Sequence, residues 1–152
     1  MKLALRWLLA WLSAVVVTAA LGSIVQTQFN LARIAELDGP ISIGDRLQVT
    51  GFDLVSFAPT FAIIVALALL IAFVVAGALV RWVTKARMPL FMLAGFVAIA
   101  AALAIMSAML PVTAIGATRS LAGFLTLSLC GAVGGWLYAS VFTRKKPERQ
   151  NL

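Results

Sequence analysis

Four long stretches of this chain carry no ionisable side chain, and nearly all of the charge lies in the gaps between them. The uncharged stretches are residues 7–32, 54–80, 88–118 and 120–143. A helix needs about 20 apolar residues to cross a hydrocarbon core that is roughly 30 Å thick. The sequence therefore predicts an all-α integral membrane protein with four transmembrane helices in a bundle. We place these helices at residues 5–25, 57–80, 89–110 and 120–142.

The composition favours one membrane domain that includes all 152 residues. Hydrophobic residues make up 63% of the chain and charged residues only 11%, whereas charged residues form about 25% of an average soluble domain. A soluble fold of this length would lack the surface needed to cover four such apolar stretches at once.

The basic residues are concentrated on one predicted side of the membrane. The predicted termini and the loop between helices 2 and 3 carry nine Lys and Arg residues against the single acid Glu148, whereas the other two gaps hold three Arg and four acids. Because Lys and Arg mark cytoplasmic loops, we expect both termini to be cytoplasmic and residues 27–56 to form a large outer loop. The bias suits a bacterial inner membrane. The net charge of +7 then indicates attraction to anionic lipids, not to nucleic acid.

The N-terminus has some features of a signal peptide. Lys2 and Arg6 precede an apolar run, but residues 18–20 make a poor cleavage site. We therefore expect an uncleaved first transmembrane helix.

Several residues are predicted to mark the ends of the helices. Ser56 is expected to cap helix 2 and Ser120 to cap helix 4. Pro59 and Pro89 are expected in first turns, where proline is tolerated, and Pro111 is expected to end helix 3.

The predicted outer loop, residues 27–56, is the one segment outside the membrane that is large enough to have its own structure. Its first part, 28–37, has polar residues three apart and fits a short helix that continues helix 1 or lies on the surface. The Gly39-Pro40 pair breaks this helix. Residues 41–50 then resemble a short β-hairpin with Gly44 first in its turn.

Small residues recur at intervals of four along the predicted helices. Such faces let helix backbones approach closely, and this packing stabilises helix pairs in lipid. Two alternatives stay open: contact within one four-helix bundle, or contact with another subunit. The residues chosen for helix packing are Gly131, Gly135, Ala139, Ala10, Ala14 and Gly22.

The charged residues of the two outer gaps are the candidates for contact with a partner protein. They are Arg33, Glu36, Asp38, Asp45, Arg46, Asp53 and Arg119. Arg119 and Asp53 could form an ion pair that ties the two outer loops together. The spacing of the acids matches no calcium-binding loop, so no metal site is predicted.

The sequence also limits the chemistry of the membrane region. The chain has one cysteine, Cys130, and no histidine, so an internal disulfide and histidine-ligated haem or zinc are excluded. No serine in the helices has a neighbouring base, and no ionisable group is available for ion-coupled transport. We expect no cofactor.

These observations favour a non-catalytic multi-pass membrane subunit. It would pack laterally against the transmembrane helices of a partner or of a second copy, and would present its outer loop for protein contact. An oligomeric transporter, channel or lipid-handling protein is the main alternative. A membrane enzyme whose active site uses the outer acids and Arg119 is a minor one.

Overall fold

The computed structural model of this chain describes residues 2–82, 86–109 and 115–143, with side chains at 4–82, 86–109 and 115–141. The elements in this part of the chain are α1 (Lys2–Asp38), α2 (Ile43–Leu79), α3 (Arg87–Met109), a 3₁₀ turn (Gly116–Arg119) and α4 (Leu121–Thr143). All four helices are long and apolar enough to cross a membrane. This is the architecture of a multi-pass membrane protein, and it confirms the prediction of an all-helical fold.

The helices form a bundle in which each has two main neighbours. Helix α1 lies beside α2 and α4, and α3 also lies beside α2 and α4. Because consecutive helices run in opposite directions, the start of α1 and the end of α4 lie at one end of the bundle, which we call the terminal end. The opposite end carries the 39–42 turn and the 3₁₀ turn, and we call it the hairpin end.

Large apolar side chains fill the centre of the bundle. The most deeply buried are Val65, Leu69, Phe73, Ile99, Leu103 and Leu127, each no more than 1% exposed. Near the terminal end Phe73 packs against Phe91 and Tyr138, with ring centroids 5.6 and 4.4 Å away. This aromatic cluster joins α2, α3 and α4, and adjacent aromatic rings of this kind contribute beyond the area that they bury.

The seam between α3 and α4 depends on glycine. A Cβ atom on Gly131 would overlap the carbonyl oxygen of Gly95, and one on Gly135 would overlap the carbonyl oxygen of Phe91. Backbone therefore lies directly against backbone at this seam, as in other close pairs of membrane helices.

Helix α1 uses its small residues in the same way. Ala10 and Ala14 are fully buried, and a Cβ atom on Gly22 would lie 2.5 Å from the Phe61 ring of α2. Ala139 on α4 is 1% exposed. All six residues predicted to pack helices are thus buried within this chain. This is the arrangement expected for contact within one four-helix bundle. Contact with another subunit gains no support at these positions.

The predicted β-hairpin is wrong. Residues 28–38 continue α1, which the sequence allowed, but the segment from Ile43 onward is the start of α2 and not a strand. The predicted outer loop is therefore a helical hairpin whose connection is residues 39–42. Gly39 has φ +97°, a left-handed conformation that suits glycine, and its N–H donates to Ala35 O at 3.2 Å to end α1.

The N-terminus of α2 follows from this correction. Ser42, not Ser56, is the N-cap: its Oγ accepts from the Asp45 N–H at 3.1 Å and donates to the Asp45 carboxylate at 2.7 Å. Ser56 lies inside α2 and donates to Phe52 O at 2.8 Å. Pro59 also lies inside the helix, not in its first turn, so one carbonyl of the preceding turn lacks its usual donor.

The other predicted helix ends are mostly correct. Pro89 is in the first turn of α3, which begins at Arg87. Ser120 immediately precedes α4, and its Oγ accepts from the Gly123 N–H at 3.1 Å. Pro111 lies outside the described residues, as do Glu148 and the basic cluster that follows α4.

Candidate functional site: the two ends of the bundle

A layer of buried polar residues separates the membrane bundle from the helical hairpin. Thr27 is fully buried, and its hydroxyl donates to the Asp53 carboxylate at 2.6 Å. Gln26 is 6% exposed and accepts from the backbone N–H of Ala117 at 3.0 Å. This layer therefore ties α1 to α2 on one side and to the 3₁₀ turn on the other.

The helical hairpin extends well beyond this layer. About 20 residues of α1, or about 30 Å, separate Trp7 from Thr27, which matches the thickness of a bilayer core. Beyond Thr27 the helix continues for about 11 more residues, and α2 contains about 10 before Asp53, so each arm projects by about 15 Å. The two arms are therefore matched in length.

A polar network holds the two arms together. Arg46 donates from Nη1 to Gln28 Oε1 at 3.1 Å, and Gln28 Nε2 donates to Thr50 Oγ1 at 3.0 Å. The Thr50 hydroxyl donates in turn to Arg46 O at 2.7 Å. Because the Arg46 guanidinium donates to Gln28 on the opposite arm, Arg46 helps to hold the hairpin together.

The structure divides the seven charged residues that were predicted to contact a partner. Arg46 and Asp53 are partly buried and bond within the hairpin. Asp45 is exposed, and its carboxylate accepts from the hydroxyl of the N-cap Ser42. The remaining four are exposed: Arg33, Glu36, Asp38 and Arg119.

The predicted ion pair between Arg119 and Asp53 does not form in the described residues. Asp53 accepts the Thr27 hydroxyl, and Arg119 is exposed at the end of the 3₁₀ turn. The turn is instead held against α1 through Gln26 and through Asn30, whose side chain lies against Gly116.

The outer surface of the hairpin is more apolar than a solvated surface requires. Its most exposed large apolar side chains are Leu37, Ile43, Leu47 and Phe52, with exposures from 68% to 85%. We call these four residues the hairpin apolar surface. The contacts with α1 come from Arg46, Thr50 and Asp53, so the helical spacing turns Phe52 away from α1. Exposed apolar patches of this kind mark interaction sites.

The terminal end carries a second feature, a cavity of about 450 Å³ that reaches into the bundle. Arg81 and Arg87 line it together with Trp7, Phe91 and Tyr138. The Arg87 guanidinium carbon lies 5.8 Å from the centre of the Phe91 ring, within the range of a cation–π contact. The cavity thus combines two positive charges with aromatic walls.

An apolar groove follows the seam between α2 and α3 on the outside of the bundle. Two cavities of about 280 and 600 Å³ make up this groove, and both are lined by Ala72 and Val97. It extends from Leu79 and Leu90 at the terminal end to Ile64 and Ile105 toward the hairpin end. Small residues on both helices, among them Ala68 and Ala101, leave the space that forms it.

The sequence alone does not reveal the terminal-end cavity. Arg81 and Arg87 belong to the same basic gap, which in the sequence indicates only the orientation of the helices. Their positions could have indicated the cavity. Arg81 follows α2 and Arg87 begins α3, so the short connection between these helices must bring both arginines to the same end of the bundle. Tyr138 on α4 is 3% exposed and lies in the aromatic cluster.

Several hydroxyl groups and the thiol inside the membrane helices donate to backbone carbonyls, whereas the buried Ser23 Oγ has no hydrogen-bond partner in the described residues. The hydroxyls of Ser107 and Ser128 donate to Leu103 O at 2.9 Å and Phe124 O at 2.8 Å. The Cys130 thiol donates to Thr126 O at 3.3 Å. In the described residues no group of three Cys, Asp or Glu side chains could hold a metal ion.

No protein-family model, curated protein or solved structure matches this chain.

Proposed function

We propose that this protein is a non-catalytic multi-pass membrane subunit whose helical hairpin binds another protein outside the bilayer. The observation that carries the proposal is the hairpin apolar surface. Leu37 and Ile43 are 85% and 77% exposed, and they lie about 15 Å along the helices from the polar layer at Thr27 and Asp53. Lipid tails do not reach that far, so a protein partner is the natural cover for these side chains.

The rigidity of the hairpin supports the same proposal. The network of Arg46, Gln28 and Thr50 holds the two arms in one arrangement before a partner arrives. A preorganised surface loses less conformational entropy on binding than a flexible loop does. Exposed charges beside the apolar residues, namely Arg33, Glu36 and Asp38, would form the polar rim typical of protein interfaces.

The proposed orientation follows from the positive charges. Nine Lys and Arg residues fall in the terminal segments and in the connection between α2 and α3, against three at the hairpin end, Arg33, Arg46 and Arg119. The terminal end is then cytoplasmic and the hairpin is outside, which in a bacterium places the protein in the inner membrane.

Lateral association with partner helices or with a second copy is part of the proposal, but it needs a surface other than the glycine seams. Gly131, Gly135 and Gly22 already pack inside the bundle. In the described residues, the hairpin apolar surface and the outer faces of the helices are the surfaces that could contact a partner subunit.

The rival functions gain less from the structure. The bundle centre is filled by residues such as Leu69 and Leu103, which counts against a pore through a single chain. An outer-surface enzyme would need its carboxylates, but Asp45 accepts from Ser42 and Asp53 accepts from Thr27, which leaves Glu36 and Asp38 of the four predicted acids.

Photo-crosslinking in native membranes tests the proposal. A benzophenone amino acid in place of Leu47 should capture a protein partner in native membranes. The matched control is Ile63 on the same helix, which is 65% exposed against 68% for Leu47 but lies within the uncharged stretch. We expect a discrete protein adduct at Leu47 that a probe at Ile63 does not form.

A second pair of variants checks the chemistry of the contact. Leu47→Glu should abolish the adduct that a benzophenone at Leu37 forms, whereas Ile63→Val should leave it intact. Crosslinking to no protein from Leu37, Ile43 or Leu47 would refute the proposal.

A further inference from the structure

We propose that the protein bound by the helical hairpin is a basic protein other than this chain, which covers the tip of the hairpin with an apolar recess bordered by Lys or Arg. The inference rests on the proposed function, since it names the chemistry of the partner that the hairpin apolar surface contacts. The tip is the part of the hairpin around the 39–42 turn, where Leu37 and Ile43 are 85% and 77% exposed.

Three exposed acids surround these two apolar side chains. Glu36 and Asp38 flank Leu37 in the chain, and all three are exposed. Asp45 is exposed in the first turn of α2. The exposed base nearest to them in the chain is Arg33, three residues before Glu36. Three acids and one base leave the exposed surface of the tip with a net charge of −2.

The other two arginines of the hairpin end lie too far from the tip to neutralise it. The Arg46 guanidinium bonds Gln28, and Gln28 precedes Asp38 by about 15 Å of helix. Arg119 ends the 3₁₀ turn, which is bonded to Gln26, about 18 Å of helix before Asp38. The Debye length at physiological ionic strength is about 8 Å. Solvent ions therefore screen both charges at the tip.

The residues outside the described part of the chain do not change this balance. Residues 110–114 join α3 to the 3₁₀ turn at the hairpin end, and they contain no charged side chain. The other undescribed basic residues belong to the 83–85 connection and to the segment that follows α4. Both segments adjoin the terminal end, and a hydrocarbon core of about 30 Å separates that end from the hairpin.

The end of α1 adds to the negative charge of the tip. Its last turn contains no basic residue, and instead carries Glu36 and Asp38. The carbonyl groups at a helix C-terminus bear a partial negative charge, so cations are favourable there and acids are not. Among the described residues the carboxylates of Glu36 and Asp38 form no hydrogen bond or ion pair. A basic partner would supply the missing cations.

The same charges argue against a second copy of this chain as the partner of the hairpin. Two copies in one membrane have the same orientation, so a two-fold axis between them runs along the membrane normal and places identical residues at the same height. The acids of one tip would then face the acids of the other, and one Arg33 per copy cannot balance three acids. Like charges across an interface oppose association.

Photo-crosslinking of the full chain in native membranes tests the sign of this contact. With a benzophenone amino acid at Leu47, the yield of the protein adduct should fall about threefold in Glu36→Gln and about fivefold or more in Asp38→Lys. It should also fall when the salt concentration rises from about 0.05 M to about 0.5 M, because salt screens exposed charges. Mass spectrometry of the adduct should identify a protein other than this chain.

The variants are chosen so that unfolding of the hairpin cannot produce the same result. Lys is favourable near the C-terminus of a helix, so Asp38→Lys should stabilise the end of α1 while it weakens the contact. Arg33→Gln removes a charge of the opposite sign from the same exposed surface and should not lower the yield. Arg119→Gln removes an exposed charge far from the tip and should leave the yield unchanged.

The possible results separate this inference from the proposed function. An adduct whose yield is the same in Glu36→Gln, Asp38→Lys and the unchanged protein overturns the basic partner but leaves the protein contact intact. An adduct of two copies of this chain also overturns it, as does an equal fall in Arg33→Gln and Glu36→Gln. If no protein is captured from any probe on the hairpin apolar surface, the proposed function and this inference fail together.

Discussion

The seam between α3 and α4 makes a sharp prediction about a single methyl group. In Gly131→Ala the new Cβ atom would overlap Gly95 O and lie 2.5 Å from Ile99 Cγ1. Carbon atoms in contact normally stand about 3.5–4 Å apart. The Ile99 side chain can rotate, but the Gly95 carbonyl is part of a helix backbone and cannot. The two helices would therefore have to separate by about 1 Å along the whole seam.

The expected cost is about 2 kcal/mol, within the 1–3 kcal/mol range for overpacked sites. Gly77→Ala is the matched control, because it is the same substitution inside a membrane helix and its Cβ atom meets nothing within 4 Å. Alanine favours the helix over glycine by up to about 1 kcal/mol. We therefore expect Gly77→Ala to be neutral or stabilising, and the difference between the two variants to be the steric cost.

Reversible unfolding by SDS in mixed micelles, followed by circular dichroism, measures this difference. The midpoint for Gly131→Ala should move to a lower SDS fraction than that of the unchanged protein, and the midpoint for Gly77→Ala should not. If both variants unfold at the same midpoint, the close approach of α3 and α4 is incorrect.

Two further predictions concern the hairpin. The Thr27 hydroxyl lies within hydrogen-bond distance of Ser23 O in its own helix and of the Asp53 carboxylate in α2. Thr27→Val leaves this partly buried carboxylate without its donor, and we expect a loss of about 1–3 kcal/mol in the same unfolding assay. Thr126→Val is the control, because the Thr126 hydroxyl bonds Ala122 O of its own helix and no carboxylate; equal losses would contradict this role. Ser42→Ala removes the N-cap of α2 and should cost about 1 kcal/mol. Amide hydrogen exchange at residues 43–46 should become faster than in the unchanged protein, while exchange at 60–64 stays the same. Unchanged exchange at 43–46 would contradict the cap.

The membrane helices could be predicted from the sequence because the bilayer imposes a simple rule. A stretch of about 20 residues without charge has few alternatives to a spanning helix in lipid. The same rule predicts only the part of each helix that lies inside the hydrocarbon. Helices α1 and α2 continue beyond it, where charged and uncharged residues alternate and the rule does not apply.

The hairpin escaped prediction because its local signals point to a strand. Gly44 and Gly51 are poor helix formers, and Val49 and Thr50 are β-branched. Tertiary contacts with α1 decide in favour of a helix: Gln28 meets Arg46 and Thr50 across the hairpin. Such contacts between residues about 20 apart are invisible to local propensity.

The candidate sites were predictable to different degrees. The glycine pattern on α4 correctly indicated close packing, but spacing alone cannot say whether the neighbour is α3 or another chain. The charged residues of the outer segment were identified, yet Arg46 and Asp53 proved to hold the hairpin together. The arginines of the terminal-end cavity required the fold, since they are brought together by two different helices.

The central claim is that a membrane bundle carries a water-exposed helical hairpin on the side opposite its termini. Single cysteines in a Cys130→Ser background test it directly, by labelling the purified protein, reconstituted without a partner into sealed vesicles of known orientation, with an impermeant maleimide. A cysteine replacing Ile43 should react from the outer side without permeabilisation, and one replacing Trp82, 85% exposed near the terminal end, should react only after it. Labelling of both from one side, or protection of Ile43→Cys from both sides, would contradict the account.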